Sequence, residues 1–136
     1  AAEGAIFGVF CRRFGVPLID LGTVRLPRLI GHSRAMDLIL TGRPVEAEEA
    51  FAIGLANRLV PKGQALESAI ELAQQLSAFP QACLRSDRAS AIAQWSMDWE
   101  SATGNEAALG RETLRSGSAA QGAARFAAGE GRHGRF

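Results

Sequence analysis

The chain has 136 residues, of which 47% are hydrophobic and 21% charged, and its formal net charge is +1. This length suits one domain, and this composition is typical of a folded chain rather than a disordered one. The near-zero net charge argues against a protein held to nucleic acid by phosphate contacts, and no apolar run is long enough to span a membrane. Cys11 and Cys83 lack the spacing of a zinc site or a disulfide framework.

Residues 1–31 are rich in the glycines and prolines that punctuate loops. The apolar run Ala5–Phe7 is too short for its pattern alone to assign a strand. The stretch Gly22–Ile30 predicts a helical turn, with Pro27 near its beginning, where a missing N–H matters least. The pattern of this first segment therefore predicts loops and one short helix.

From Ser33 onward the pattern predicts helices. Ser33 is expected to cap a helix over Arg34–Leu40, which ends at Gly42. A second helix is predicted over Glu46–Ile53, because acidic side chains in a first turn are favoured by the helix dipole. The pair Leu59–Val60 predicts a short extended segment after it.

The second half of the chain predicts further helices separated by proline and glycine. One of them begins near Gln81 and runs towards Trp95 and Trp99, which are four residues apart. We expect these two tryptophans to share one helical face, as core or as a subunit contact. Helices are also predicted over residues 65–78, 106–114 and 119–128, followed by a basic tail at 129–136. Periodicity alone therefore indicates a mostly helical domain.

Four blocks in the first 60 residues carry a more specific pattern. They read AAEGAIFG at Ala1–Gly8, GTVRLPRLIG at Gly22–Gly31, AMDLILTG at Ala35–Gly42 and AEEAFAIGLANRLV at Ala47–Val60. In this order and spacing they resemble four patterns of the enoyl-CoA hydratase/isomerase (crotonase) superfamily. Those patterns are approximately A-x-E-x-A-x-F-G-x-P-E, G-G-T-Q-R-L-P-R-x-x-G, A-x-x-x-x-L-T-G and A-x-x-A-x-x-x-G-L-V-x-x-V-V.

The resemblance implies an α+β, mostly helical fold: the C-terminal half of a ββα superhelix with helices that build trimers, often paired into hexamers. Residues 1–31 would then end the core and carry an active-site loop, residues 32–128 would serve packing and oligomerisation, and residues 129–136 would form a basic tail. The family's CoA-binding entry, one N–H of its oxyanion hole and its first catalytic glutamate would lie upstream. We therefore expect little or no turnover from these 136 residues alone.

The resemblance also implies the site residues. The family's second catalytic glutamate falls on Cys11, whose thiol is a poor substitute even if Arg12 and Arg13 ionise it in part, so Cys11 is expected to be structural. Asp20 begins a stretch similar to the D-x-G-T of dienoyl-CoA isomerases, in which an aspartate is catalytic. The alternative is that Asp20 caps the helix that begins near Gly22, and both roles are compatible.

Further residues are expected to bind the substrate. Leu21 stands where the family usually has glycine, so it would narrow the acyl channel beside Gly22. Phe126 and Arg132 belong to an aromatic-and-basic C-terminal end which, in the family, contacts the adenine or phosphates of CoA. Arginine forks suit phosphate, although a solvated basic tail would account for the same residues.

The leading prediction is an acyl-CoA-processing enzyme, or a fragment of one, that hydrates an enoyl-CoA thioester or isomerises its double bond. The expected ligand is an acyl-CoA thioester, with no other cofactor, no metal, no nucleic acid and no membrane, in a cytoplasmic homo-oligomer. One alternative is a non-catalytic self-assembly module that keeps the trimerisation surface. The other is a DNA-binding helix-turn-helix over Glu46–Ile53 and Leu55–Leu59, which Pro61 would cut short.

Overall fold

The computed structural model describes residues 1–134, which divide into two compact units, Ala1–Leu72 and a second from Ala73 onward. The first unit holds two short strands and three helices: β1 (Ile6–Phe7), α1 (Gly22–Ile30), α2 (His32–Thr41), β2 (Val45–Glu46) and α3 (Ala47–Ala52). A 3-10 turn at Phe10–Phe14 links β1 to the loop before α1. The next helix, α4 (Ala65–Ala78), begins in the first unit and ends in the second.

The strands of the first unit are two residues long and pair antiparallel, with Phe7 opposite Val45. This pairing shows why Ala5–Phe7 had no strand signature: its partner lies far along the chain, and two residues are too few for an alternation. An isolated parallel bridge joins Ala2 to Val60, so the segment predicted to be extended at Leu59–Val60 does pair with the beginning of the chain.

Two details of the first helices correct the sequence predictions. Gly31 ends α1 and caps α2 with φ of 84°, so α2 begins at His32 and Ser33 already lies inside it. Ser33 is therefore not the N-cap, because a glycine at positive φ reverses the chain without an intervening loop. Pro27 lies in the interior of α1 rather than near its beginning.

The core of the first unit lies between α1, α2 and β2. Its buried side chains are Ile30, Ala35, Leu38, Ile39, Val45 and Ala50, with Phe7, Leu18, Leu26, Ile53, Leu55 and Ala56 packed against them. The small alanines allow the helices to approach closely, and the branched side chains fill the space between them. Because Leu18 belongs to the loop before α1 and packs against this core, the core supports that loop.

Two arginine side chains of the 3-10 turn form hydrogen bonds with the end of α2. Arg12 donates from Nε to the carbonyl of Ile39 at 3.2 Å, and Arg13 donates to the carbonyl of Gly42 at 3.0 Å. Ile39 lies in the last turn of α2 and Gly42 is its C-cap, so these carbonyls have no partner within the helix. The turn that carries Cys11 is thereby held in place by α2.

A second arginine bridge connects α2 to α3. Arg43 donates to Oδ2 of Asp37 at 2.7 Å and to both carboxylate oxygens of Glu49, at 2.6 and 2.9 Å. The hydrogen bond from Arg43 holds the pKa of Glu49 below its usual range. This fork orients α3 against the core.

The second unit consists of helices and short turns. Its helices after α4 are α5 (Gln81–Ala93), α6 (Trp99–Arg115) and α7 (Ser118–Ala127), with 3-10 turns at Gln94–Ser96 and Arg132–Gly134. α5 packs on α6, and α6 packs on α7. Along the part of the chain that the structure describes, no residue after Ala50 is fully buried.

The prediction of one helical face for Trp95 and Trp99 is wrong. Trp95 lies in the 3-10 turn, Met97 is extended, and Trp99 is the first residue of α6. The helix breaks because Asp98 caps α6: its Oδ1 accepts the N–H of Ser101 at 2.7 Å. The predicted stretch 106–114 is thus the C-terminal part of a longer helix.

The structure also removes the helix-turn-helix alternative, since Leu55–Leu59 is not helical. α3 ends at Ala52, and the N–H groups of Leu55 and Ala56 both bond to the carbonyl of Ala50. Within residues 1–134, no helix combines the length and apolarity needed to cross a bilayer.

Candidate active site

The first unit carries a cleft of about 470 Å³ beside the N-terminal end of α1. Its apolar walls come from Phe10 in the 3-10 turn, from Leu18 in the loop, and from Leu26 and Leu29 on α1. Leu18 and Leu26 also pack on the core, so the rear wall is part of the folded interior. The cleft is thus a shallow apolar groove, and its chemistry depends on the few polar groups at its surface.

Asp20 is the one carboxylate in the described wall of this cleft. Its Oδ1 accepts the N–H of Gly22, the first residue of α1, at 3.2 Å. Asp20 therefore bonds the beginning of α1, as the capping prediction expected, although Leu21 rather than Asp20 occupies the N-cap position. The same hydrogen bond holds the carboxylate at the surface of the cleft, where it is accessible to a bound molecule.

Leu21 has a backbone conformation that is unusual for its residue type. Its φ of 71° lies in the left-handed region, which costs a residue with a Cβ on the order of 1 kcal/mol. The resemblance places glycine at this position, and this backbone conformation explains why glycine fits there. The side chain of Leu21 is half-exposed and lies beside the described wall rather than in it.

Cys11 also lines the cleft, from the 3-10 turn, and is partly buried. The guanidinium groups of Arg12 and Arg13 are bonded to carbonyls of α2, so the arginines adjacent to Cys11 in sequence serve the helix end. The other cysteine, Cys83, lies in α5 with Sγ 3.7 Å from Oδ2 of Asp87. The negative charge of Asp87 raises the pKa of the Cys83 thiol.

Among the lining residues that the sequence did not assign to a site, Arg25 and Phe10 contribute a charge and an aromatic ring. Arg25 lies on α1 one turn after Gly22 and brings a positive charge to the wall that carries Asp20. The sequence signal for Arg25 was its position three residues after Gly22, because residues three apart lie on one face of a helix. Phe10 contributes a whole aromatic ring, which no periodicity of a 3-10 turn could have placed.

The two residues predicted to bind CoA lie in the second unit. Phe126 is exposed near the end of α7. Arg132 donates to the carbonyl of Ala127 at 3.1 Å, so its guanidinium closes the turn after α7. The remainder of the predicted basic tail, Arg135 and Phe136, lies outside the described residues. Over residues 1–134, there is no cluster of three or more metal-ligating side chains.

Comparison with known proteins identifies the family of the chain. A family model described as enoyl-CoA hydratase/isomerase matches residues 1–133. The chain belongs to the enoyl-CoA hydratase/isomerase family. The motif order at Ala1–Val60 and the helical remainder are therefore features of this family, and the resemblance seen in the sequence is confirmed.

Individual relatives show how much of a family member this chain represents. It is 44% identical over 92 residues to the enoyl-CoA hydratase EchA19 of Mycobacterium tuberculosis, covering 65% of this chain and 35% of that protein. A structure described as an enoyl-CoA hydratase/isomerase of Mycobacterium abscessus has a TM-score of 0.89 at 34% identity, covering all of this chain and 56% of that one.

A third relative is also similar in structure and is also matched over only part of its length. The enoyl-CoA hydratase of Bacillus anthracis has a TM-score of 0.80 at 31% identity, over 85% of this chain and 45% of that one. The chain thus spans about a third of the curated relative and about half of the solved structures. The predicted α+β, mostly helical crotonase fold is confirmed for this portion of a family member's chain.

Proposed function

We propose that the chain is the part of an acyl-CoA-processing enzyme that supplies a carboxylate and an apolar wall to the acyl site, in hydration or double-bond isomerisation of an enoyl-CoA thioester. The observation that carries this proposal is the position of Asp20 at the surface of an apolar cleft, bonded to the first N–H of α1. The thioester is the substrate, and its CoA portion is the only cofactor that we invoke.

The polar groups of the cleft favour isomerisation over hydration. Moving a double bond requires a base that removes a proton from one carbon and returns it to another, and a single positioned carboxylate performs both transfers. Hydration requires a group that activates water, and the thiol of Cys11 is a weak candidate for that role. Asp20 is therefore proposed as the catalytic residue, and Cys11 as a wall of the site.

The remaining parts of the mechanism come from electrostatics. An enolate-like transition state gathers negative charge on the thioester oxygen, and backbone N–H donors stabilise that charge in family members. Leu21 and Gly22 would border the acyl group. In the second unit, Phe126 and Arg132 are separately proposed to contact the adenine and the phosphates of a CoA molecule. A first catalytic glutamate and the other oxyanion donor would come from a segment outside these 136 residues.

A binding titration tests the proposal, with acetoacetyl-CoA as the probe and intact mass confirmed beforehand. We expect saturable binding near one per chain. Asp20→Asn keeps an oxygen that can accept the N–H of Gly22 and removes only the charge, so any loss is specific to the carboxylate. Glu48→Gln, on the exposed side of α3, is the matched control for charge. An absence of saturable binding contradicts the proposal.

Turnover separates the roles of Asp20. In a chain joined to the upstream half of a family member, Asp20→Asn is expected to lower isomerisation by about 10²- to 10⁴-fold, the usual contribution of a general base. Retained turnover would remove the catalytic role and leave Asp20 as a helix-start residue. The 136-residue chain alone is expected to show little or no hydration of crotonyl-CoA.

A second proposed function, self-association, is favoured by the second unit. Most of its large apolar side chains are exposed, and Trp99 is 85% exposed. Such faces are usually covered by another protein surface, and we propose that copies of this chain cover them in a trimer or a pair of trimers. Light scattering coupled to size exclusion should give a mass of at least three chains, and a monodisperse monomer contradicts this arrangement.

A further inference from the structure

We propose that Phe10 limits the length of the acyl group that the cleft accepts, so that the substrates are thioesters of short acyl chains. This inference rests on the proposed function, because it concerns the cleft that carries Asp20. It goes beyond that function by naming a substrate class and the side chain that selects it.

The first observation is the contact between Phe10 and Gly8. A Cβ added at Gly8 would lie 2.7 Å from Cε2 of Phe10, and nearer still to Cε1 and Cζ. The ring therefore lies directly against the backbone at Gly8, in space that any other residue would fill. Gly8 and Phe10 act as one unit: the glycine provides a recess and the ring occupies it.

The second observation is that the ring faces the cleft and not the interior. Phe10 lines the same wall as Asp20, Leu18 and Leu26. Among the described residues, it belongs neither to the buried core nor to the side chains packed against it, and it stays 42% exposed. The exposed part of this ring is therefore an apolar surface that a molecule entering the cleft would contact.

The third observation is that the backbone that carries the ring is anchored to α2. Phe10 begins the 3-10 turn whose next two arginines, Arg12 and Arg13, are bonded to the last carbonyls of α2. The backbone under the ring is thus anchored at two points. An acyl chain held with its reacting carbons near Asp20 would meet this ring within the same cleft, and a longer chain would have to displace it.

The consequence is a testable dependence on chain length. Burying one more methylene against apolar side chains strengthens binding by about fourfold. With Phe10 present, this gain should stop after a few carbons, because the ring occupies the space that further methylenes would use. Phe10→Ala should restore the gain for longer chains, and so shift the preference from short chains towards long ones.

Saturated acyl-CoA thioesters are suitable probes, since they cannot react. Binding of butyryl-CoA and decanoyl-CoA is measured by calorimetry for the unaltered chain, Phe10→Ala and Phe14→Ala. Phe14 lies in the same 3-10 turn, is 81% exposed and is absent from the described wall of the cleft, so it is a matched control. We expect Phe10→Ala to raise the affinity for decanoyl-CoA relative to butyryl-CoA at least tenfold, and Phe14→Ala to leave this ratio within twofold of its original value.

Each outcome is decisive. Binding of butyryl-CoA with an unchanged preference in Phe10→Ala, or an equal change in Phe14→Ala, overturns this inference and leaves the proposed function standing. A failure of both thioesters to bind any variant overturns the proposed function and this inference together. If Phe10→Ala lowers the melting temperature enough to obscure binding, Phe10→Leu provides a smaller apolar side chain, and an intermediate rise in decanoyl-CoA affinity is expected.

Discussion

The two units of this chain are built from similar helices but differ in what those helices bury. Every fully buried residue of the described chain lies between Ile30 and Ala50, in the first unit. The second unit has longer helices, including the 17-residue α6, and buries none completely. Helical periodicity therefore does not imply a core: the first unit is stabilised by packing, whereas the second leaves apolar side chains exposed.

The largest expected effect tests this difference in packing directly. Leu38 is 3% exposed in the core of the first unit, and Ile92 is 54% exposed on α5. Leu38→Ala should lower the free energy of unfolding by about 2–5 kcal/mol, because it removes buried methyl groups and leaves a cavity. Ile92→Ala should change it by less than about 0.5 kcal/mol, as substitutions at exposed positions usually do.

Urea unfolding followed by circular dichroism measures both variants. Equal losses of unfolding free energy in the two variants would contradict the difference between the units, since they would mean that α5 is packed as tightly as α2. If the proposed self-association is correct, Ile92→Ala should instead become costly only at chain concentrations where the oligomer forms.

A smaller loss of stability is expected from a substitution in the wall of the cleft, at Gly8. Gly8→Ala should cost about 1–3 kcal/mol, because the new Cβ collides with the ring of Phe10 and the ring must move. Gly122 is the matched control in α7 of the second unit, since a Cβ there meets nothing within 4 Å. Gly122→Ala should be neutral or stabilising, because alanine favours a helix interior.

A double-variant cycle identifies the cause of the Gly8 effect. In Gly8→Ala/Phe10→Ala the collision is absent, so most of the loss should be recovered. If the double variant is as unstable as the sum of the single ones, the ring of Phe10 is not what excludes a side chain at position 8.

The smallest expected effect is a dependence of melting temperature on pH, to which a different carboxyl contributes in each unit. In the first unit, the hydrogen bond from Arg43 lowers the pKa of Glu49; in the second, the N–H of Ser101 lowers the pKa of Asp98. A carboxyl whose folded pKa is depressed stabilises the fold above its unfolded pKa, and that contribution is lost as pH falls through the folded pKa. Melting temperature should therefore fall between neutral pH and pH 3.

Matched substitutions test whether Glu49 and Asp98 cause this dependence of melting temperature on pH. Asp98→Asn keeps an oxygen that can cap α6 but cannot titrate, and Glu49→Gln removes the charge that faces Arg43. Each variant should have a shallower dependence of melting temperature on pH than the unaltered chain, with Glu67→Gln, on the exposed side of α4, as control. An unchanged slope in both variants would show that other groups carry the acid sensitivity.

The sequence determined the family and most of the helices. The motif order from Ala1 to Val60 carried the family, because those blocks combine turn glycines with apolar positions at a spacing that chance rarely produces. The helix over residues 65–78 was correct to the residue, because its amphipathic pattern and the following Pro80 are local signals. The roles of Asp20, Cys11, Leu21, Gly22, Phe126 and Arg132 stay predictions.

Only the tertiary structure decided what the sequence left open. It paired Ile6–Phe7 with Val45–Glu46, placed Cys11, Asp20 and Phe10 in one wall, and assigned Arg12 and Arg13 to the end of α2. It also separated Trp95 from Trp99, because a cap at Asp98 outweighed the weaker preference for a continuous helix. Periodicity reports neighbours within a helix, whereas the cleft depends on contacts between residues far apart along the chain, which no local pattern encodes.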